Sequence, residues 1–376
     1  MDDRTIRIDA GFPGGNIIVD QVDGDEVRLH QDLRDTASDW FYWCFRLRNA
    51  AGRRLRFVFT RSRALGVRGP AISLDHGMTW SWIGAAAVQD NSFTITVPQD
   101  DVRLSFGMPY VEEHWRRFAD GLADSPFFEE RRLCVTPKGR PVELALLGRP
   151  DREPLHRVAV TARHHCCEMM ASYVMEGMIR RIAEGDGPDG VWLRDNTQFF
   201  VVPFADKDGV EDGDQGKNRA PRDHGRDYLG ESLYAEPAAI RKMLPVWGGD
   251  RLHVALDLHC PWIDGPHNEV IYMVGGPTRE CSRQQWAFSE AIERVRTGPL
   301  PFVAADYLPY GQAWNTDANY ERGRGFARFA EELPGVRLAG SIETPYANAR
   351  GVEVNAHSAR LFGRDLASAI ARYLAG

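Results

Sequence analysis

Lysine is almost absent from this chain of 376 residues: Lys138, Lys207, Lys217 and Lys242 are the whole set, and arginine supplies the other basic side chains. That bias can follow from genome composition alone and carries no function. A basic excess is also missing. The formal net charge is −7, which argues against a general affinity for nucleic acid. No apolar run approaches the ~20 residues of a membrane-spanning helix. The opening Met1-Asp2-Asp3-Arg4-Thr5-Ile6-Arg7 has neither the basic end nor the apolar stretch of a secretory signal. A cytoplasmic protein without membrane or nucleic-acid partners is the expectation. Cysteine is sparse: Cys44, Cys134, Cys166, Cys167, Cys260 and Cys281 show no paired metal-binding spacing, and neighbours such as Cys166 and Cys167 do not easily bridge each other. A reducing compartment fits this usage. There is no internal repeat and no low-complexity segment.

The chain is long enough for two domains, with 43% hydrophobic and 26% charged residues, an ordinary globular balance. Its first part reads as strands. Asn16–Val19, Glu26–Leu29, Trp40–Leu47 and Arg54–Phe59 are β-branched or aromatic runs, with Asn49-Ala50-Ala51-Gly52 as a turn between the last two. Ser92–Val97 and Val102–Phe106 continue the alternation across Pro98. Short strands without helices predict an antiparallel β-sandwich over 1–110. From 111 onward the period changes. Val111, Trp115, Phe118 and Leu122 have helical spacing, and strands near 155–161, 197–203, 252–259 and 336–342 then alternate with helices near 168–184, 282–297 and 357–374. That alternation predicts a mixed-sheet α/β domain over 111–376, whose ligands collect beyond the carboxyl ends of its strands. His165, His259 and Glu343 all fall there.

Two motifs carry chemistry. Arg163-His164-His165-Cys166-Cys167-Glu168 follows the apolar run Val158-Ala159-Val160, and a strand-to-helix loop can turn positions i and i+3 toward one point. Asp257-Leu258-His259 ends the strand that begins at Leu252, and alternation puts Asp257 and His259 on one face. Two histidines and a carboxylate with an open fourth position form the ligand set of a catalytic zinc. On these residues alone a bland reading competes, with His165 an ordinary loop residue and Glu168 a helix cap. His164 is a rival ligand, and a thiolate of Cys166, Cys167 or Cys260 is conceivable, although buried cysteine is commonly a small hydrophobe. His253 shares the parity of His259 but sits about 20 Å away along an extended strand, which suits a core histidine.

Ala162 to Glu168, continuing into Met169–Gly177, resembles the first zinc motif of the metallocarboxypeptidases, with closer similarity to their cytosolic branch. Further features follow in that family's order: Val201-Val202-Pro203, the Asp206-Lys207-Asp208-Gly209 turn, Gly216-Lys217-Asn218-Arg219, Asp223-His224-Gly225-Arg226, Asp257-Leu258-His259 and Ile342-Glu343-Thr344-Pro345-Tyr346. Gly14-Gly15-Asn16-Ile17, Asp39-Trp40-Phe41-Tyr42 and Met108-Pro109-Tyr110 are similar to landmarks of the sandwich that precedes the catalytic domain in the cytosolic branch. The resemblance covers nearly the whole chain. It is weakest at about 60–100 and 265–335.

It implies zinc held by His165, Glu168 and His259, with Glu343 as general base. Arg219 would stabilise the oxyanion, Arg226 would grip a peptide's terminal carboxylate, and Asp223 would orient a zinc histidine. Tyr320 is the candidate for the tyrosine that closes over substrate, with Tyr307 and Tyr310 as competitors. Each arginine read by itself is a solvated loop residue. The implied activity is hydrolysis of the C-terminal amide of a peptide or protein. Arg322, Arg324 and Arg328 could supply the basic group needed to release acidic residues. One departure stands out, since the family usually has asparagine before the carboxylate-binding arginine and here Gly225 stands in its place. Gly225 motivates a rival, a zinc amidase or deacylase on acyl-amino acids or cell-wall peptides. A second rival is a catalytically silent peptide-binding protein on the same fold.

Overall fold

The structure is a computed structural model, and it describes residues 5–376. Met1 to Arg4 of the leader reading lie outside the described residues. Ten strands come first: β1 (Arg7–Asp9), β2 (Ile18–Asp23), β3 (Glu26–His30), β4 (Cys44–Arg48), β5 (Arg54–Phe59), β6 (Ala71–Ser73), β7 (Ser81–Trp82), β8 (Val88–Gln89), β9 (Ser92–Thr96) and β10 (Asp101–Ser105). They form two five-stranded sheets, ordered β1-β4-β10-β6-β7 and β2-β3-β5-β9-β8. Every pairing is antiparallel except β3 on β5. The turn at 49–52 is present, with Asn49 and Gly52 at positive φ, but it links two sheets instead of closing a hairpin. Trp43, Phe45, Phe57 and Phe93 fill the space between the sheets and are fully buried. The run at 40–47 starts as a strand only at Cys44. Trp40 to Trp43 are irregular, and Trp40 and Phe41 turn their rings to the junction with the rest of the chain, against Trp262 and Tyr346.

The remainder is one mixed seven-stranded sheet between two helical layers. α1 (Glu112–Asp120) leads into β11 (Phe128–Val135), β12 (Pro141–Leu147), β13 (His156–Ala162), α2 (Met170–Glu184), α3 (Pro188–Asn196), β14 (Thr197–Val202) and α4 (Lys207–Asp212). α5 (Ala235–Gly248), β15 (Leu252–His259), β16 (Tyr272–Val274), α6 (Arg279–Val295), α7 (Phe326–Ala330), β17 (Leu338–Glu343) and α8 (Ala356–Ala375) complete it. The sheet order is β11-β12-β14-β13-β15-β17-β16, parallel among β14, β13, β15 and β17 and antiparallel at both edges. Alternation sorts its side chains. Val158, Val160, Val254 and Leu256 join the core under α2, α6 and α8. Ala159, Phe200, Val202 and Ala255 join a second core with Ile240 and Leu244 of α5 and Phe326 of α7. β15 is buried at all its positions, the pattern of a central strand covered on both faces.

The parallel register fixes the site. Ala162 lies opposite Leu258, and His259 lies opposite Glu343. The carboxyl ends of β13, β15 and β17 therefore stop side by side, where ligands of such sheets gather. Among the described residues no helix is long and apolar enough to cross a membrane.

Candidate active site

The loop after β13 is built to aim side chains. Arg163 takes a left-handed φ of 63°, and its buried guanidinium ties the loop down by donating to the Cys166 carbonyl (2.8 Å), the Tyr110 carbonyl (2.9 Å) and Ser172 Oγ (3.0 Å). α2 consequently starts at Met170, not at 168, and Glu168 stays in the loop. Its N–H is bonded to the His165 carbonyl, while its carboxylate meets two imidazoles. Glu168 Oε1 lies 2.8 Å from His165 Nδ1, and Oε2 lies 2.7 Å from His259 Nδ1. One atom from each of His165, Glu168 and His259 lies within 4.8 Å of the others, and all three residues are buried. Burial pushes the Glu168 carboxyl up, but the neighbouring imidazoles and Lys217 outweigh it and hold the group well below the usual carboxylate range.

Asp257 organises the other side of His259. It accepts from Thr161 Oγ1 at 2.8 Å and lies 2.7 Å from His259 Nε2 and 2.8 Å from His164 Nδ1. Burial would raise its pKa, yet the two histidines hold it far down. The rival ligand His164 also forms a close group with Asp257 and His259. Both its ring nitrogens are engaged, however, since Nε2 lies 2.7 Å from the Tyr228 hydroxyl. His164 props Asp257, which in turn fixes the His259 ring. No cysteine joins either cluster among the described residues. Cys166 donates to the Asp214 carbonyl and Cys167 accepts from Trp40 Nε1. His253 pairs with His156 at the opposite ends of their strands, their Nδ1 atoms 2.7 Å apart.

Glu343 shares a pocket with His165, His259, Lys217, Arg226, Tyr320 and Arg328. Its Oε2 is buried without a hydrogen-bond partner. Burial raises its pKa, opposed by His259 and reinforced by the Glu168 charge. On the far side of His165, Asp223 Oδ1 stands 3.7 Å from Nε2, and both atoms lack a closer partner. Gly225 explains itself here, because a Cβ at that position would meet His165 Nε2 at 2.6 Å and Asp223 Oδ1 at 3.3 Å. The family's asparagine has no room against this imidazole.

Arg219, the expected oxyanion partner, is held by carboxylates. Its guanidinium donates to Asp35 (3.0 Å), Asp206 (2.6 Å) and Asp214 (2.9 Å), a carboxylate cage that pins the loops outside the pocket containing Glu343. A cation so saturated is a poor partner for charge that develops elsewhere. Lys217, to which the sequence reading gave no role, stands closer to the cluster. Its ammonium lies 3.2 Å from His165 Nδ1 and 3.8 Å from Glu168 Oε1. It stands two positions from Arg219 in the same motif, and linear spacing could not separate them. The turn at 206–209 is also more than a reversal: Asp206 accepts from the Gly209 N–H at 2.9 Å and caps α4.

Arg226 donates to the Asn319 carbonyl at 3.0 Å and the Gly225 carbonyl at 2.9 Å. It shares the Tyr320 ring with Arg328, at 5.1 and 4.1 Å from the ring centre. Tyr320 donates to Asn315 Oδ1 at 3.2 Å. Of the competing tyrosines, Tyr307 donates to Gln285 Oε1 and Tyr310 packs under Arg328. Arg324 pairs with Glu332 and Arg322 lines a neighbouring cavity. Of those three arginines, Arg328 lines the pocket that holds Glu343, with Nη2 buried and unpartnered.

Comparisons with known proteins show what the chain is similar to. Residues 123–231 match the zinc carboxypeptidase family. An uncharacterized protein of Zymomonas mobilis is 26% identical over 246 residues, 63% of this chain and 61% of that protein. Mouse cytosolic carboxypeptidase 3 is 28% identical over 263 residues, 60% of this chain and 26% of that protein. The chain thus spans less than two thirds of either relative. A metallo-carboxypeptidase from Burkholderia cenocepacia shares the fold, with a TM-score of 0.81, 24% identity and 99% of each chain covered. So does a metallo-carboxypeptidase from Pseudomonas aeruginosa in complex with (2-guanidinoethylmercapto)succinic acid, at TM-score 0.79, 21% identity and 98% and 99% coverage. Residues 123–231 thus resemble a zinc carboxypeptidase domain, and the chain is similar to cytosolic carboxypeptidases over about 60% of its length.

Proposed function

We propose that this protein is a zinc-dependent carboxypeptidase that releases the last residue of a peptide or protein. The observation that carries the reading is the convergence of His165, Glu168 and His259 beside the unpartnered Glu343 carboxylate. The donor set suits zinc, because imidazole nitrogen and carboxylate oxygen are its preferred catalytic ligands, and three protein ligands leave one position open. Zinc bound there supplies Lewis acidity toward a water and an amide carbonyl.

The chain's own residues do the rest. Asp257 fixes the ring of His259 and so the nitrogen it presents, and Asp223 offers its carboxylate to the outer nitrogen of His165. Glu343, buried and basic for a carboxylate, takes the proton of the attacking water and returns one to the departing amine. Lys217 balances the negative charge that develops on the carbonyl oxygen. Arg226 faces the terminal carboxylate, with Gly225 offering no side-chain amide to help it. Tyr320 is placed beneath both arginines to cover the bound end.

The terminal side chain would face Arg328. A buried guanidinium nitrogen left without a hydrogen bond is costly, and a carboxylate is the group that best satisfies it. C-terminal glutamate or aspartate is therefore the proposed substrate class. Two measurements test the reading on the purified protein. Metal analysis should find zinc, and Glu343→Gln should lose on the order of 100-fold or more in kcat while keeping its fold. A zinc-free protein with unchanged Glu343→Gln activity would remove the mechanism. Release of leucine or lysine faster than glutamate from matched peptides would remove the acidic preference and leave the chemistry. Turnover of C-terminally blocked peptides alone would favour an amidase.

A further inference from the structure

A second cavity, of about 290 Å³, opens on the other side of Glu343. It shares Glu343, Lys217 and Trp314 with the first pocket, but neither Arg226 nor Arg328 lines it. Its walls carry four aromatic rings, Trp40, Trp262, Trp314 and Tyr272, beside the amides of Asn218, Asn268 and Asn319. Trp262 follows β15 and stands edge-on against two rings, 4.6 Å and 81° from Trp40 and 5.1 Å and 87° from Phe41. Trp40 is itself anchored, donating from Nε1 to Cys167 Sγ at 3.3 Å and accepting from Gln31 Nε2 at 2.7 Å. Trp262 and Trp314 are each 40% exposed. Two large apolar rings held open beside a reacting centre are not needed to fill a core, and their surface toward water remains to be covered.

We infer that this cavity is a subsite for the residue that precedes the scissile bond, and that it selects an aromatic or large apolar side chain there. The inference rests on the carboxypeptidase reading. With the terminal carboxylate and side chain placed at Arg226 and Arg328, the amide bond lies at Glu343, and the chain must leave past Trp314 toward Trp40 and Trp262. The walls are pre-positioned, so an incoming ring gains edge-to-face contacts without first ordering the site. Charge decides against the other side chains. A cationic one would meet the Lys217 ammonium, which lies 5.9 Å from the Trp40 ring centre. An acidic one would have to leave water for the rings, with only the asparagine amides and an ammonium shared with Glu168 to receive it. The β-sandwich thereby takes part in recognition, since Trp40 comes from its side of the junction.

The test uses zinc-loaded full-length protein and N-acetyl dipeptides in which the first residue is Phe, Trp, Ala, Glu or Lys and the second is Glu or Leu. The expected kcat/KM for Phe or Trp over Ala at the first position is roughly 10-fold or more. Trp262→Ala and Trp314→Ala should each bring that ratio toward one, Trp262→Phe should keep most of it, and in Trp262→Ala the ratio for terminal Glu over Leu should not move. A parental Phe/Ala ratio near one, a preference for Glu or Lys in the first position, or a Trp262→Ala variant that slows every peptide equally would overturn the subsite and leave the carboxypeptidase standing. Failure to cleave any of the peptides would overturn the carboxypeptidase reading, and the subsite with it.

Discussion

Two residues show how local surroundings set chemistry at this scale. Lys217 and Arg219 carry the same charge two positions apart, yet three carboxylates consume Arg219 while the Lys217 ammonium faces His165 and Glu168. Lys217→Met is expected to lower kcat by about 100- to 1,000-fold, the cost of losing one oxyanion partner, with Lys217→Arg recovering part of it. Steady-state kinetics on one peptide series checks this, and a Lys217→Met kcat within threefold of the parent would return the role to another group. His114 offers a pH prediction away from the site. Its Nδ1 accepts from the Val111 N–H at 3.2 Å and its Nε2 donates to the Gly77 carbonyl at 2.9 Å, which holds one neutral tautomer. Burial lowers its pKa to about 4. Between pH 6.5 and 4 the unfolded chain takes up a proton that the folded protein refuses, so this contribution is complete above pH 6.5 and is lost as pH falls. The loss reaches up to about 3 kcal/mol near pH 4. Urea unfolding midpoints across that window should fall for the parent, and by less for His114→Gln. Equal slopes in the two proteins would refute the assignment.

Elements differ in how plainly the sequence announces them. β15 is legible because Leu252–His259 is an unbroken buried run ended by a polar motif, and β13 for the same reason. β11 is not, because Phe-Glu-Glu-Arg-Arg-Leu-Cys-Val at a sheet edge is mostly exposed and shows no apolar face. β6, β7 and β8 are too short to show a period, and α4 is a six-residue helix set by the Asp206 cap more than by any hydrophobic stripe. The crossing of α2 and α8 carries a prediction of opposite sign to helix propensity. A Cβ on Gly363 would meet the Val174 carbonyl oxygen at 1.9 Å, and one on Gly177 would meet the Arg360 carbonyl oxygen at 1.9 Å. Alanine is favoured over glycine by about 1 kcal/mol in a helix interior, but here the added methyl strikes backbone that can yield only if the helices separate. Overpacking of this kind costs about 1–3 kcal/mol or more. Gly363→Ala should therefore destabilise the protein in chemical unfolding, and a higher midpoint than the parent would show that the crossing gives way.

Over the whole molecule, the candidate site is assembled from segments that only the fold brings together. His165 and Glu168 follow β13, His259 ends β15 and Glu343 ends β17, while Lys217 and Asp223 arrive from the loop between α4 and α5. The order of these motifs was readable in the sequence; the pocket was not, because the roles of Lys217, Trp262 and Arg328 depend on which loops meet. An ion bound by His165, Glu168 and His259 would tie the ends of two adjacent strands, and it could bind the unfolded chain only weakly, where Glu168 and His259 are 91 residues apart in sequence. Folding and zinc binding are then linked, and free zinc at about 1,000 times its Kd adds about 4 kcal/mol to stability. The expected result is a melting temperature that rises with zinc concentration, falls after chelation and is restored by re-addition. Glu168→Ala, once shown by circular dichroism to be folded, should melt at a temperature that zinc no longer moves. A parent protein whose melting is indifferent to chelator and zinc alike would mean that these three side chains do not hold the metal, and the proposed chemistry would have no centre.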